Sequence, residues 1–285
     1  MSLSASQVTI GIAAAALVSF AAYRTKSLTA DGAVAAFAVG ALVFGIGGLP
    51  YSVPILTFFI TSSLLSAVGR TRKQRVYSRP VRYDPRNAWQ VVANGGIPAF
   101  IVCAAALLPP GATPSSRDWF LLYLSALASA NADTWATEIG TLAPGRPVHI
   151  TTFRPVLPGT SGAVSLLGTL AGLAGAAAVT VSGWLAWPEG SELLVWRMDV
   201  AEGLAVLWAG FLGSLTDSVL GATIQAMYEC ARCGKVVETG RHCGAPARLL
   251  SGRRWVTNDA VNALASLAAV AAAWILLRYF AWPLK

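Results

Sequence analysis

The chain has 285 residues, of which 55% are hydrophobic and only 12% charged. A soluble domain of this length carries about a quarter charged residues. The long charge-free runs exclude an ordinary water-soluble fold and make lipid the solvent for most of the chain. The net charge of +8 reads as cytoplasmic loop charge rather than a nucleic-acid surface.

In chain order, apolar runs predict spans at 8–23, 31–48, 51–69, 91–109, 119–138, 162–186, 203–228 and 259–281. This is an all-α fold: a polytopic transmembrane helical bundle of about eight spans, forming one membrane domain over 1–285. The first run is no cleavable signal, because its charges, Arg24 and Lys26, follow the apolar stretch instead of preceding it. The second and third spans meet at Gly47-Gly48-Leu49-Pro50, a turn signal that makes them a helical hairpin. If the N-terminus is outside, the loops 24–30, 70–90, 139–161 and 229–258 hold 17 of the 21 Lys and Arg. Arg117, Arg197, Arg278 and Lys285 remain for the other face. The loop 187–202 is acidic, with Glu189, Glu192, Asp199 and Glu202 in or next to it. The positive-inside bias thus predicts both termini on the non-cytoplasmic side. The localisation expected is a prokaryotic plasma (inner) membrane, with the site facing the cytoplasm.

An ionisable group inside a span costs about 2.5–3.5 kcal/mol on insertion scales, which makes each one a functional candidate. In the fifth span, Asn131, Asp133, Thr134, Thr137 and Glu138 fill one arc at about 100° per residue. A helix end emerging into solvent is the plain alternative. In the seventh, Gly210, Ser214, Asp217, Ser218, Gly221 and Gln225 form one stripe. A packing seam of small residues explains the glycines but not Asp217. The fourth span begins Asn87, Gln90, Asn94, and the eighth begins Asn258, Asp259, Asn262, Ser266. Helix capping competes for the first residue of each, not for those a turn or two inside. Asp31, at the start of the second span, reads as a cap.

Gly159-Thr160-Ser161-Gly162 opens the sixth span, with Thr152 and Arg154 upstream. Free backbone N–H groups and hydroxyls at a helix start suit phosphate, although Ser161 alone could be an N-cap. The loop 70–86 adds Arg70, Arg72, Lys73, Arg75, Arg79, Arg82 and Arg86, mostly headgroup charges, one or two of which could touch phosphate. Carboxylates, amides and cations together suit Mg²⁺ bridging phosphates. No Walker A or protein-kinase motif is present. Three of the four cysteines lie in one loop, which is no secreted disulfide framework. Cys230-x2-Cys233 followed by His242-Cys243 could close a structural Zn²⁺ knuckle within 229–258; reduced loop thiols are the alternative.

Five blocks occur in order: Arg86–Gly96 (RNAWQVVANGG), Asn131–Gly140 (NADTWATEIG), Pro158–Gly168 (PGTSGAVSLLG), Gly213–Ala222 (GSLTDSVLGA) and Asn258–Asn262 (NDAVN). With them the chain resembles the membrane family that includes plant phytyl-phosphate kinase and animal transmembrane protein nineteen. The Cys/His loop resembles that of prokaryotic members. The family is distantly similar to CTP-dependent phytol and dolichol kinases and CDP-lipid synthases.

The resemblance implies transfer of the CTP γ-phosphoryl to an isoprenyl (phytyl or geranylgeranyl) monophosphate in the bilayer, giving a diphosphate and CDP. Block by block it points to Asn94, Asp133, Glu138, Asp217, Asp259 and Asn262. On this reading Asp133 and Asp217 hold Mg²⁺, and Glu138 or Asp259 completes or orients that shell. Arg154, Thr160, Ser161 and Gly162 receive phosphate, and Asn94 and Asn262 orient oxygens or the nucleotide. Ala163 departs from the family, which often carries a second glycine there. The rival reactions are a CDP-lipid-forming cytidylyltransferase and a lipid alcohol kinase. The non-enzymatic rival is a membrane transporter, for which intramembrane carboxylates are equally natural.

Overall fold

The computed structural model describes residues 4–68, 85–109, 113–187 and 198–279. Six of the expected loop cations (Arg70, Arg72, Lys73, Arg75, Arg79 and Arg82) lie outside the described residues, as do Glu189, Glu192, Arg197 and Lys285.

The protein is mostly helical. Its helices are α1 (Ala5–Arg24), α2 (Ala30–Val68), α3 (Ala88–Leu107), α4 (Ser116–Gly140), α5 (Leu166–Leu185), α6 (Val200–Thr223) and α7 (Asn258–Tyr279). Among the described residues, six helices are long and apolar enough to cross a membrane: α1, α2, α3, α5, α6 and α7. The chain is an integral membrane protein. Outward-facing side chains such as Leu17, Val34, Phe100 and Leu170 are more than half exposed, which is stable only against lipid.

Helix α2 contains the expected hairpin. Gly48 breaks it with a φ of +66°, a conformation that side chains resist, and the two arms, 30–47 and 49–68, fold back on each other. The carbonyls freed near the break, Gly45 and Ile46, accept from Gln7 Nε2 of α1 at 3.2 and 3.1 Å. The adjoining arm of α2 lies tight on α1: a Cβ on Gly11 would fall 2.4 Å from the Gly45 nitrogen.

Helix α4 is the expected fifth span, yet it is not among the six. The reason is position. Every residue from Phe120 to Ala132 is buried, so the other helices sheathe α4 and it need not be apolar enough for lipid. Polar residues survive there because they are bonded. Asn131, fully buried, donates to the Gly175 carbonyl of α5 at 2.7 Å and accepts from Thr61 and Ser62 of α2 at 3.1 and 3.3 Å. Leaving such an amide unpaired would cost about 1–3 kcal/mol. Asn131 therefore pins three helices together.

The all-α expectation needs one correction. Residues 227–251 form an antiparallel sheet of β3 (Met227–Cys230), β4 (Val236–Val237), β5 (Arg241–His242) and β6 (Ala245–Ser251), in the order β4-β3-β6-β5. A smaller pair joins β1 (Val148–His149) to β2 (Ala163–Val164). Both sheets lie in loops outside the bundle, where hairpins can satisfy backbone groups that helices satisfy inside it.

Candidate functional site

At one end of the bundle the helices enclose a cavity of about 440 Å³, within the roughly 300–1,000 Å³ range of small-molecule sites. Its wall takes the end of the second α2 arm (Ser66), the start of α3 (Gln90, Asn94), the end of α4 (Asp133, Thr134, Thr137, Glu138), the end of α6 (Asp217, Ser218) and the start of α7 (Asn258, Asn262). The segment before α5, Pro158–Ser165 apart from Val164, closes it. Starts and ends alternate in chain order, so an up-and-down bundle delivers all these residues to one end.

Helix α6 runs parallel to α4, because Gly210 packs on Ala128 and Gly213 on Ser129. One helical turn further along, Asp133 and Asp217 reach the cavity from the two helices, and Asp217 feels the charges of Asp133 and Glu238. The Asp217 Oδ2 is buried and finds no hydrogen-bond donor among the described residues. Glu138 is held by Ser66, whose hydroxyl donates to Oε1 at 2.7 Å. Asn94 donates to the Gln90 carbonyl at 2.9 Å and presents the rest of its amide to the cavity.

The loop Gly159–Gly162 lies on the cavity, but its setting differs from expectation. Helix α5 starts at Leu166, and Ser165 is its N-cap, accepting from Gly168 N at 3.1 Å. The glycine loop therefore does not open the helix. It lies flat on α6: a Cβ on Gly162 would sit 2.4 Å from the Ala222 Cβ, and one on Gly221 would sit 2.8 Å from the Ser161 Oγ. Gly162 also has a φ of +73°, so its lack of a side chain serves both backbone shape and contact. Gly221 and Ala222 of α6 are the bed for this loop.

Other candidate residues fall elsewhere. Asn87 is the N-cap of α3 and forms a capping box with Gln90. Thr152 and Arg154 are exposed on the β1–β2 connection, off the cavity wall, because the His149–Arg154 turn folds them back over β1. Ser214 is buried inside the bundle. Asp259 is not on the wall either, although its charge is felt by Glu238. Asp31 is a cap, but for a different helix: its Oδ2 accepts from Ala88 N at the start of α3, 3.0 Å away.

Arg86, one of the loop cations expected near phosphate, is on the wall, and the structure adds Arg146, Ser165 and Glu238. Arg86 is set by backbone bonds to Ser27 and Thr29. Glu238 had no sequence signal, since it lies on no apolar helix and in no motif of the Cys/His loop, and only the sheet brings it to the bundle. It leans over the rim with its outer surface open, and crowding by protein, reinforced by the Asp259 charge, raises its carboxyl above the ordinary value of 4.5, with a Gln225 hydrogen bond pulling the other way.

A second, apolar slot of about 90 Å³ opens between α1, both arms of α2 and α3, lined by Val39, Phe44, Ile55 and Phe58 among others. Arg86, Gln90 and Asn94 line both the slot and the cavity, so the two share a wall. Separately, Cys230, Cys233, His242 and Cys243 bring their ligand atoms within 4.8 Å of one another. This is the sole cluster of three or more His, Cys, Asp or Glu with metal-site spacing among the described residues.

The comparisons agree with this membrane architecture. The chain is 35% identical to the protein PGR of Arabidopsis thaliana over 86% of itself and 88% of that protein. It is 30% identical to an uncharacterized membrane protein of Methanocaldococcus jannaschii over 71% of itself and 76% of that protein. With the chloroplastic protein VTE6 of Arabidopsis thaliana it shares 26% identity, over 83% of this chain and 61% of that one. The relatives thus come from a plant plastid as well as from an archaeon, and they do not single out a plasma membrane. No solved structure matches. With residues 13–270 matching the family's sequence model, the chain belongs to the family described as integral membrane protein DUF92.

Proposed function

We propose that this protein is an isoprenyl-monophosphate kinase, which uses CTP to convert a phytyl or geranylgeranyl monophosphate into the diphosphate. The carrying observation is the shared wall: a polar, carboxylate-bearing cavity adjoins an apolar slot at Arg86, Gln90 and Asn94. That pairing fits an amphiphile with an anionic head and a hydrocarbon tail. The family resemblance of the five sequence blocks, whose polar residues supply much of the cavity wall, supplies the substrate class.

Mg²⁺ fits the residues present. The buried Oδ2 of Asp217, without a hydrogen-bond partner among the described residues, is a hard oxygen donor, and the Asp133 carboxylate lies on the same cavity wall. Magnesium is commonly held by one or two carboxylates plus substrate phosphates. Asp133 and Asp217 would hold it, and its contribution when bound is to neutralise charge on the nucleotide phosphates. Thr160, Ser161 and the backbone of Gly162 receive phosphate oxygens, with Arg86 supplying positive charge. Asn94, Asn258 and Asn262 orient the donor.

A monoester oxygen attacks the γ-phosphorus, the bond to the β-phosphate oxygen breaks, and CDP leaves. The acceptor has a second pKa of about 6 and is already anionic at neutral pH. No strong base is needed, which suits a wall without histidine. In-line positioning and charge neutralisation supply the rate enhancement.

The chain crosses the membrane eight times, counting α4 and both arms of α2. The cavity opens to the cytoplasm on this reading, because the helix ends around it flank the cation-rich stretches of the sequence. The decisive assay gives the detergent-purified protein Mg²⁺, labelled CTP and geranylgeranyl or phytyl monophosphate. Lipid-dependent CDP with an isoprenyl diphosphate is the expected product pair. Pyrophosphate with a CDP-lipid would make it a cytidylyltransferase, and no product with any lipid or nucleotide would favour transport.

A further inference from the structure

The sheet β3–β6 has almost no core of its own. Between Met227 and Trp255 the one buried residue is Cys230. An isolated unit this small needs a staple, either disulfides or a metal. The four cysteines are free, so no disulfide supplies it.

Two tight turns present the ligand atoms. In the first, Gly234 N donates to the Cys230 carbonyl and Cys230 N to that of Lys235, both at 2.9 Å, and Gly234 has a φ of +65°. In the second, Cys243 and Gly244 join β5 to β6 with φ of +53° and +72°. A left-handed cysteine is unusual and strained; such residues persist where something over-determines them.

The Sγ atoms of Cys233 and Cys243 are 3.8 Å apart, and the His242 Nδ1 is 3.4 and 3.3 Å from them. Tetrahedral zinc with Zn–S of about 2.3 Å and Zn–N of about 2.05 Å has edges of about 3.8 Å for S···S and about 3.6 Å for S···N. The sulfur separation is nearly twice a disulfide bond, which is about 2.05 Å. Thiolate and imidazole ligands select zinc over the hard cations suited to the cavity.

The segment between the two ligand pairs carries Glu238. It leaves Cys233, pairs as β4 with β3 (Tyr228 with Val237), reaches the cavity at Glu238, and returns to His242. Both ends of this excursion are fixed at the same four ligands.

We infer that Cys230, Cys233, His242 and Cys243 bind one zinc ion, and that this ion holds Glu238 on the cavity wall. The zinc site stands on its own geometry. The importance of placing Glu238 rests on the phosphate-transfer reading above.

The test uses the full chain in detergent. Elemental analysis is expected to give one zinc per chain, and exchange with Co²⁺ the visible bands of a tetrahedral thiolate site. Cys233→Ser and Cys243→Ser should lose the metal, while Cys103→Ser, altered within α3, should keep it. Hydrogen exchange then compares zinc-loaded and chelator-treated protein. Amides from 228 to 247 should exchange at least about tenfold faster without zinc, with amides of α4 unchanged. A metal-free chain with reduced thiols, or a Cys233–Cys243 disulfide, would overturn the zinc site. Zinc bound but exchange over 236–240 unaltered on its removal would overturn the hold on Glu238. Neither readout requires turnover, so failure of the kinase assay leaves both intact.

Discussion

Helices α4 and α6 run side by side through the bundle, and their two ends are built on opposite electrostatic principles. At the end away from the cavity, Arg117 of α4 and Glu202 of α6 form a buried ion pair, with a second contact of 2.7 Å from Nε to Oε1. Aromatic packing seals that end: Tyr51, Phe120 and Tyr123 cluster with ring centroids 4.9 to 6.1 Å apart, and the Tyr123 hydroxyl donates to the Tyr51 carbonyl. At the cavity end the same two helices present Asp133 and Asp217, charges of one sign. A compensated pair closes a structure, whereas like charges facing a cavity leave it ready for a cation or for the donors of a ligand.

The largest expected effect separates these ends directly. Asp217→Asn should lower CTP-dependent turnover by about 10²–10³-fold, while the melting temperature of the substrate-free protein does not fall. Glu202→Gln should do the reverse. Removing the carboxylate charge from the Arg117–Glu202 pair should destabilise the fold, by up to about 3 kcal/mol in denaturant titrations, with turnover per folded molecule retained. If both variants lost activity and stability alike, the two ends would not be distinct in kind.

The next effects sharpen the cavity end. Gly162→Ala would drive a methyl into Ala222 and strain a left-handed backbone. It should lift the phosphate loop off α6 and raise KM for the nucleotide about tenfold, equivalent to about 1.4 kcal/mol. Arg86→Met should raise KM by a similar factor of about ten, and Arg154→Met by less than about twofold, since Arg154 stands off the wall. Equal effects from the two arginines would move the phosphate site toward the β1–β2 connection. The smallest effect concerns pH. Folding raises the Glu238 carboxyl above 4.5, so its ionisation opposes folding and stability falls as pH climbs through the raised value. Glu238→Gln should therefore be more stable than the parent at about pH 8 and indistinguishable from it at about pH 4, read by thermal melts with zinc present.

Much of the site was legible because intramembrane polarity is expensive. Asp133 and Asp217 stood out in apolar runs, and helical periodicity put each on a polar face of its own helix; only the structure brings the two faces to one cavity. Asn94 and Asn262 were readable because they lie too deep in their helices to be caps. Asn87 and Asn131 show the limits of that logic. Asn87 caps its helix, and Asn131 shares the polar arc of Asp133 but spends its amide on α2 and α5. Periodicity gives direction around one helix and says nothing about which neighbour lies there. Arg154 and Thr152 stand off the cavity wall for a related reason, since nearness along a loop does not fix which way the loop folds.

The sequence by itself determined that this is a membrane bundle, where its hairpin turns and which helices carry ionisable groups, because the transfer energies of side chains and the backbone freedom of glycine are local properties. Only the tertiary structure decided that α4 is the sheathed central helix, that the glycine loop rests on α6 instead of opening α5, and that Glu238 joins the cavity wall. Those depend on contacts between segments far apart in the chain, and such contacts are set by packing.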